Sequence, residues 1–542
     1  MTLKGVLFLF ILSVLCISVS AQFASFRSLS TAGLIDDDIE AMLAVTEMTY
    51  VEGFNIFTNL SNFNYQSEDI FDGYSGNYLV GFKGSMLDNS LHLGFLSNSY
   101  GYSQTDSTYE IYTEYEDNNN DEQYDEFLTD VESDIWSDGY NNSTNFVGFA
   151  FGKPEGVKAG FSYTNYRGTY NYNEIYTYEY RDSNMISGDI LRLYNEWYNY
   201  DYTNPYTNNI YSLNGAFSTG AMEFALNLDL GFYKYDYIYL ESDTTVDDLD
   251  PSNPTVTIEE RSGWLDEYNY TQNGFMWNLG LKSYFRTANQ DSIEFGGYFS
   301  NTSYARVAWI DIYDESYQDI YPGIVDDAIY TYHYIETNGD STSTFGESYL
   351  SWAIGGKFVK KLEKAHFAMG IWLGQSKDSY LDTTNYDYEE EETYDNGDGI
   401  QDATDYTYYE SGTYSFEYGY NELSTTLFLP VGIEYNFWGP ITGRLGAETY
   451  ISWDNYNESG TYLDFNPGTY IYTYGDGSVY EYLNDANPDR TDYVYEGSDF
   501  ERYTYFSYGM GWEISKNVKI DFMGFSDLTD LTDWSISANV KF

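Results

Sequence analysis

The feature that most constrains this chain is the alternation of apolar and polar residues in segments of about ten residues. The last segment, WSISANVKF at positions 534–542, places Trp534, Ile536, Ala538, Val540 and Phe542 on one side of an extended strand. Serine, asparagine and lysine occupy the other side. Such a strand needs an apolar medium on one face and a polar medium on the other, so the pattern predicts an all-β protein.

The same alternation recurs in pairs of segments that are joined by short turns. The predicted pairs are 78–85 with 91–103, 146–151 with 157–163, 212–218 with 223–237, 274–285 with 292–304, 349–359 with 365–374, 423–437 with 442–453, and 503–514 with 518–525. Between the pairs lie connections of about 35 to 50 residues, far longer than ordinary loops. These connections are rich in Asp, Glu, Asn, Tyr, Ser and Thr.

Short turns at one end and long acidic loops at the other predict a transmembrane antiparallel up-and-down β-barrel. A bilayer requires every strand to pair on both sides, which only a closed barrel achieves. Adding a first strand within 49–63 and the last strand at 534–542 gives about 16 strands, or 14 if the first segment packs inside. A soluble sandwich or β-solenoid would also alternate, but rarely has such unequal ends.

The N-terminus indicates where the protein is located, and the net charge limits its possible partners. Residues 1–21 resemble a secretory signal peptide, and Cys16, the single cysteine, lies inside it. We therefore expect a plug or periplasmic segment at 22–48 and an outer-membrane barrel at 49–542. The net charge of −62 argues against nucleic acid as a partner.

Charged residues in the strands are expected to face the lumen, because a charge facing lipid is costly. Alternation assigns to the lumen the candidates Asp229, Lys282, Glu294, Glu434, Arg444, Glu448, Glu513, Lys519 and Asp521. Two interpretations remain open: an aqueous pore, or a salt-bridged filling that closes the barrel. About 16 strands enclose more space than side chains readily fill, which favours the pore.

The segment at 27–62 resembles the N-terminal region of the outer-membrane transport family of FadL-type hydrophobic-compound channels and PorV-like secretion barrels. The matching positions are Gly33, Asp36, Asp37, Asp38, Ala41 and Gly53. The family's Asn-Pro-Ala stretch is replaced by LAVTEM at 43–48. The resemblance implies an N-terminal plug, with Asp36, Asp37 and Asp38 as its candidate residues. A short amphipathic helix at the periplasmic mouth is the alternative.

Catalytic and metal-binding patterns are sparse. His92, His333 and His366 are the three histidines, and none stands in a pattern that predicts an enzyme. The stretch YDNGDGIQDATD at 394–405 resembles a calcium loop, with Asn396, Asp398, Asp402 and Asp405 as candidate Ca²⁺ ligands. A solvated acidic loop tip is the alternative.

The sequence thus predicts a porin-like or FadL-like channel of the bacterial outer membrane for passive transport of small solutes. The alternative is a surface-exposed structural, assembly or binding barrel with a plugged lumen. Its expected partners are outer-membrane lipid, the barrel-insertion machinery acting through Phe542, and small solutes or an extracellular ligand. The Tyr-rich loops suit recognition, because tyrosine offers rigid contact area. Solvated extensions of the strands are the alternative.

Overall fold

The fold is known from a computed structural model, which describes residues 25–51, 53–63, 78–116, 126–184, 190–219, 221–249, 258–287, 291–321, 329–338, 344–395, 403–466, 469–483, 492–525 and 534–542. The predicted signal peptide lies outside these residues. Among the helices described there, none is both long and apolar enough to cross a membrane.

The described strands form one antiparallel sheet that closes on itself as a barrel of 16 strands. Closure occurs at the first strand, because Asn55 pairs with Lys83 of the second strand and with Lys541 of the last. The barrel strands are β1 Asn55–Phe63, β2 Tyr78–Met86, β3 Leu91–Glu116, β4 Glu126–Phe151, β5 Gly156–Asn184, β6 Ile190–Ser218, β7 Met222–Leu249, β8 Ile258–Arg286, β9 Ser292–Tyr321, β11 Thr344–Lys361, β12 Ala365–Asp395, β13 Tyr406–Trp438, β14 Ile441–Asn466, β17 Tyr493–Ser515, β18 Val518–Phe525 and β19 Trp534–Lys541.

The outer face of the barrel is apolar toward the end that carries the short turns, which by the rule for outer-membrane barrels is the periplasmic end. Large side chains of alternate residues are exposed there, including Val157, Leu213, Leu281, Phe295, Ile354 and Ile371. About ten residues of a tilted strand span the hydrocarbon of a membrane, which matches the height of this belt. A closed barrel with an apolar belt is the architecture of outer-membrane proteins, and this protein is an outer-membrane barrel.

In their described parts, the acidic segments between the predicted pairs are continuations of the barrel strands. The longest strand, β13, has 33 residues, so about two thirds of it extends beyond the membrane. Three further strands fill this extracellular wall: β10 Ile329–Asn338, β15 Thr469–Tyr474 and β16 Val479–Leu483. The segments stay in strand form because Tyr, Thr and Ile alternate with the acidic residues and pair well across strands.

Among the described residues, three short helical elements precede the barrel. They are α1 Phe26–Leu29, α2 Asp38–Leu43 and a 3₁₀ helix at Val45–Tyr50. The first strand lies within the predicted segment at 49–63: β1 begins at Asn55, and Thr49 and Tyr50 belong to the 3₁₀ helix. A capping box starts α2, where Asp37 and Glu40 satisfy each other's free backbone N–H groups.

Candidate functional site

The candidate site is the periplasmic half of the lumen together with the segment at 25–54, which we call the plug. Helix α1 packs against β17 and β18, and the 3₁₀ helix packs against β3, β4, β5 and β6. The plug therefore contacts opposite sides of the barrel wall.

One side of the plug is fixed by apolar packing. Met42, Val45 and Met48 are fully buried and form a core with Leu96 and Phe146 of the wall, joined by Ile39, Phe57 and Ala150. A smaller core joins Leu34 and Ile35 to Ala368 of β12. Each fully buried side chain of this size contributes about 1.5–3 kcal/mol, so the plug is anchored rather than loosely tethered.

A continuous chain of ion pairs fixes the other side of the plug. The guanidinium of Arg27 donates to both carboxylate oxygens of Glu434, at 2.8 and 2.9 Å. Arg444 bridges Glu434 and Asp521, at 2.9 and 2.6 Å. Lys519 links Asp521 at 3.2 Å to Asp37 of the plug at 2.7 Å. Three cations and three carboxylates alternate, so each charge has an opposite neighbour.

A second group of ion pairs holds the centre of the plug. Lys282 lies 2.8 Å from Glu47 of the plug and 3.2 Å from Glu294 of the wall. Lys357 lies 2.6 Å from Asp36 and 3.8 Å from the same Glu294. Two wall lysines thus clamp two plug carboxylates.

A third group holds the end of the plug. The Tyr50 hydroxyl donates to Glu223, which also accepts from Lys158 at 2.6 Å. The Lys158 ammonium sits 3.9 Å from the centre of the Tyr50 ring. Next along the chain, Lys83 is fully buried and donates to the Val51 carbonyl. The plug is therefore bound by charge at three separated parts of the wall.

Three carboxylates of the plug have displaced pKa values, and in Asp38 burial, followed by the charge of Asp37, raises the pKa. Burial opposes ionisation of Asp37, but Lys519 and Arg27 outweigh it and lower its pKa to about 2. Burial, followed by the charge of Asp36, raises the pKa of Glu40 to about 7. Asp37 therefore stays ionised at neutral pH, whereas Glu40 titrates there.

Glycines in the barrel wall leave room for the plug where the plug backbone comes close to the strand backbone. A Cβ at Gly432 would lie 2.4 Å from the Thr31 carbonyl oxygen, and one at Gly446 would lie 2.6 Å from the Ala32 nitrogen. The missing side chains allow residues 31–32 to lie directly on the strands.

The remaining predicted lumen residues lie apart from these contacts. Asp229 accepts from Asn227 at 2.7 Å and from Asn278 at 2.8 Å. Glu448 accepts from Tyr450 at 3.0 Å. Glu513 lines a cavity of about 440 Å³ at the periplasmic mouth, beside Asp38 of the plug. These residues do not join the ion-paired chain.

Sequence reasoning missed several residues that bind the plug. They are Arg27, Glu47, Tyr50, Lys158, Glu223 and Lys357. Arg27 is the single cation between positions 22 and 48, which is a usable signal for a residue that reaches the wall. Lys357 and Glu223 are charged residues at the lumen-facing register close to the periplasmic turns, and the same rule that selected Lys282 would have selected them.

The structure places two of the three histidines, whereas most of the predicted calcium loop lies outside the described residues. His92 is buried near a periplasmic turn, and His366 Nδ1 lies 3.2 Å from Glu434. The His333 side chain lies outside the description, as do Asn396, Asp398 and Asp402 of the loop. Asp405 is buried at the start of β13, and no group of metal-ligating side chains occurs in the described part of the chain. Calcium binding at 394–405 therefore remains a prediction.

Comparison with known proteins adds no family. No family model and no curated relative matches the sequence. The ferripyoverdine receptor of the outer membrane of Pseudomonas aeruginosa is 11% identical over 90% of this chain and 72% of its own, with a TM-score of 0.24. The copper transporter OprC is 9% identical over 90% of this chain and 80% of its own, with a TM-score of 0.25. The ferric-catecholate import receptor Fiu from E. coli K12 is 8% identical over 90% of this chain and 81% of its own, with a TM-score of 0.25. These TM-scores are too low to support a functional argument, and the resemblance to the FadL and PorV-like family stays a prediction.

Proposed function

We propose that this protein is an outer-membrane transport barrel whose periplasmic mouth is closed by its own N-terminal plug. The observation that carries the proposal is the attachment of the plug to opposite sides of the lumen through ion pairs. The ion-paired side chains are mostly buried, with Glu434, Arg444 and Asp521 at 11%, 2% and 7% exposed, so the plug is held closed while the pairs are intact and opens only when they break. The passive open pore expected from the sequence becomes, in this proposal, a gated passage for small solutes.

The test is single-channel conductance of the refolded mature chain in a planar bilayer, compared with a variant that lacks residues 25–50. We expect the complete chain to be closed for most of the recording and the shortened chain to conduct continuously. A variant with Arg27→Ala and Lys519→Ala should open more often than the complete chain, because it removes two of the attachments that hold the plug.

A circular dichroism spectrum that shows β structure must accompany each recording. It ensures that the absence of conductance in an unfolded chain is not taken for a closed barrel. A folded barrel without the plug that still fails to conduct would contradict the transport proposal. Equal conductance with and without residues 25–50 would show that the plug does not close the lumen.

A second candidate function is a binding or structural barrel at the cell surface. It is favoured by the extracellular wall, where strands of 26–33 residues exceed the length needed to cross the membrane. A folded but silent shortened chain would favour this candidate.

A further inference from the structure

The extracellular wall carries tyrosine side chains on its inner face between β5, β6 and β7. We define the tyrosine cluster as Tyr170, Tyr172, Tyr200, Tyr202, Tyr237 and Tyr239. Rings on neighbouring strands pack edge to face, with centroid separations of 5.3–5.4 Å and interplanar angles of 62–85°, whereas Tyr237 and Tyr239 on β7 are stacked at 6.4 Å. Edge-to-face packing directs some ring faces away from their neighbours, so they remain open to a ligand.

Asn204 lies at the membrane-side edge of this cluster, directly opposite Tyr170, on the same face of β6 as Tyr202, and is 6% exposed. Its amide nitrogen donates to the Tyr202 hydroxyl at 2.8 Å. Its carbonyl oxygen is buried and has no hydrogen-bond partner. A buried acceptor without a donor is costly, so the site calls for a ligand that brings an N–H or O–H group.

Carboxylates border the tyrosine cluster. Glu174 accepts from Tyr172 at 2.7 Å, and Glu241 accepts from Tyr198 at 2.8 Å. Asp134 has a buried carboxylate oxygen without a partner. Burial, and then the charges of Glu174 and Asp106, raise the pKa of Asp134. The tyrosines orient these carboxylates without neutralising them.

Cations of the extracellular wall point the other way. Of the lysine and arginine side chains described there, five are exposed on the outer face: Arg167, Arg181, Lys234, Lys377 and Arg502. Of the described lysines and arginines of this wall, Arg192 alone lies on the inner face. It pairs there with Asp247 at 2.6 Å, beyond the tyrosine cluster. The inner surface at the cluster is therefore aromatic and negative.

We propose that the tyrosine cluster binds a small organic cation with primary ammonium groups, such as a linear diamine. An ammonium group supplies three N–H donors and a positive charge, which match the Asn204 oxygen and the carboxylates. Tyrosine ring faces attract the same group by cation–π interaction. A neutral sugar would satisfy the acceptor but leave the carboxylates repelling one another. The proposal concerns the extracellular wall and does not depend on release of the plug.

The test is calorimetric titration of the refolded mature chain with 1,4-diaminobutane at about 0.15 M salt, where distant charges are screened. The variants E174Q/E241Q and N204L should each weaken binding about tenfold or more, because each removes charge-assisted hydrogen bonds. The matched control is E179Q/D201N, which removes two carboxylates from the outer face of β5 and β6 and should change affinity less than twofold. Asn204→Asp should tighten binding.

Each other outcome overturns the assignment. Equal weakening by the inner and outer pairs would show general attraction to an acidic protein. Equal binding of tetramethylammonium, which has no N–H group, with no effect of N204L would rule out the role of the Asn204 oxygen. Absence of binding to the folded chain, or binding of a neutral oligosaccharide in place of the diamine, would contradict the proposal directly.

Discussion

The plug end of the lumen and the inner face of the extracellular wall are built from the same alternating strands. Charges are paired with opposite charges at the plug end, whereas carboxylates face other carboxylates in the wall. At the plug, Arg27, Arg444 and Lys519 alternate with carboxylates, and each charge is paired. In the wall, Asp378 lies directly opposite Glu422, and Asp454 lies directly opposite Asp499. Like charges opposed across strands are destabilising.

The two regions therefore serve different purposes. Paired charges satisfy each other inside the protein and hold a segment in place. Carboxylates without cations keep their capacity for an external partner.

The largest effect is expected at the centre of the ion-paired chain. Replacing Glu434 with Ala removes the partner of the buried Arg444 and of the partly exposed Arg27. Breaking one side of a buried pair costs about 3–5 kcal/mol, which should appear in urea unfolding of the barrel in lipid vesicles. Glu513→Ala, at an exposed position of the same mouth, should cost less than about 0.5 kcal/mol. Equal losses of stability in the two variants would mean that the chain of ion pairs does not act as a unit.

A smaller effect is expected where the wall meets the plug backbone. Gly432→Ala places a methyl group 2.4 Å from the Thr31 carbonyl oxygen, which forces the plug to shift at a cost of about 1–3 kcal/mol. Hydrogen exchange of residues 25–51 should become faster. Gly215→Ala is the control, since nothing lies within 4 Å of its added Cβ. Unchanged exchange in the Gly432 variant would contradict the close approach.

The plug should also respond to pH through Glu40. Its pKa is raised from 4.5 to about 7, so the protonated form is favoured in the folded plug. That stability is complete below pH 4.5 and is lost as pH rises through 7. The ratio of open to closed time should therefore rise about tenfold from pH 6 to pH 8. Glu40→Gln should remove this dependence; the same dependence in that variant would assign it to another group.

The smallest effect is expected for the ion pair of the extracellular wall. The Arg192 side chain is 45% exposed, and its pair with Asp247 is open to solvent. Exposed pairs contribute about 0.2–1 kcal/mol, so Arg192→Gln should shift the free energy of unfolding by no more than that. A loss as large as that of Glu434→Ala would erase the contrast between the two regions.

Much of the barrel was predictable because the period of a strand is local. The seven hairpins and the last strand fall where the alternation places them, from Tyr78 to Lys541. The extent of the strands was not predictable from apolar residues, because outside the membrane both faces of a strand can be polar. Contacts of the plug were also hidden, since Arg27 and Glu434 are separated by 407 positions and only the closed barrel brings them together.

The most direct test of the plug as a gate is to lock it in place. The ideal Cβ of Gly160 lies 3.1 Å from the Cβ of Val45, so a small movement of the plug gives the spacing of a disulfide, about 3.5–4.5 Å. The variant with both positions changed to cysteine should be silent in a planar bilayer when oxidised and should conduct after reduction in the same bilayer. Conductance that is equal before and after reduction, with the disulfide confirmed by mass spectrometry, would contradict the account.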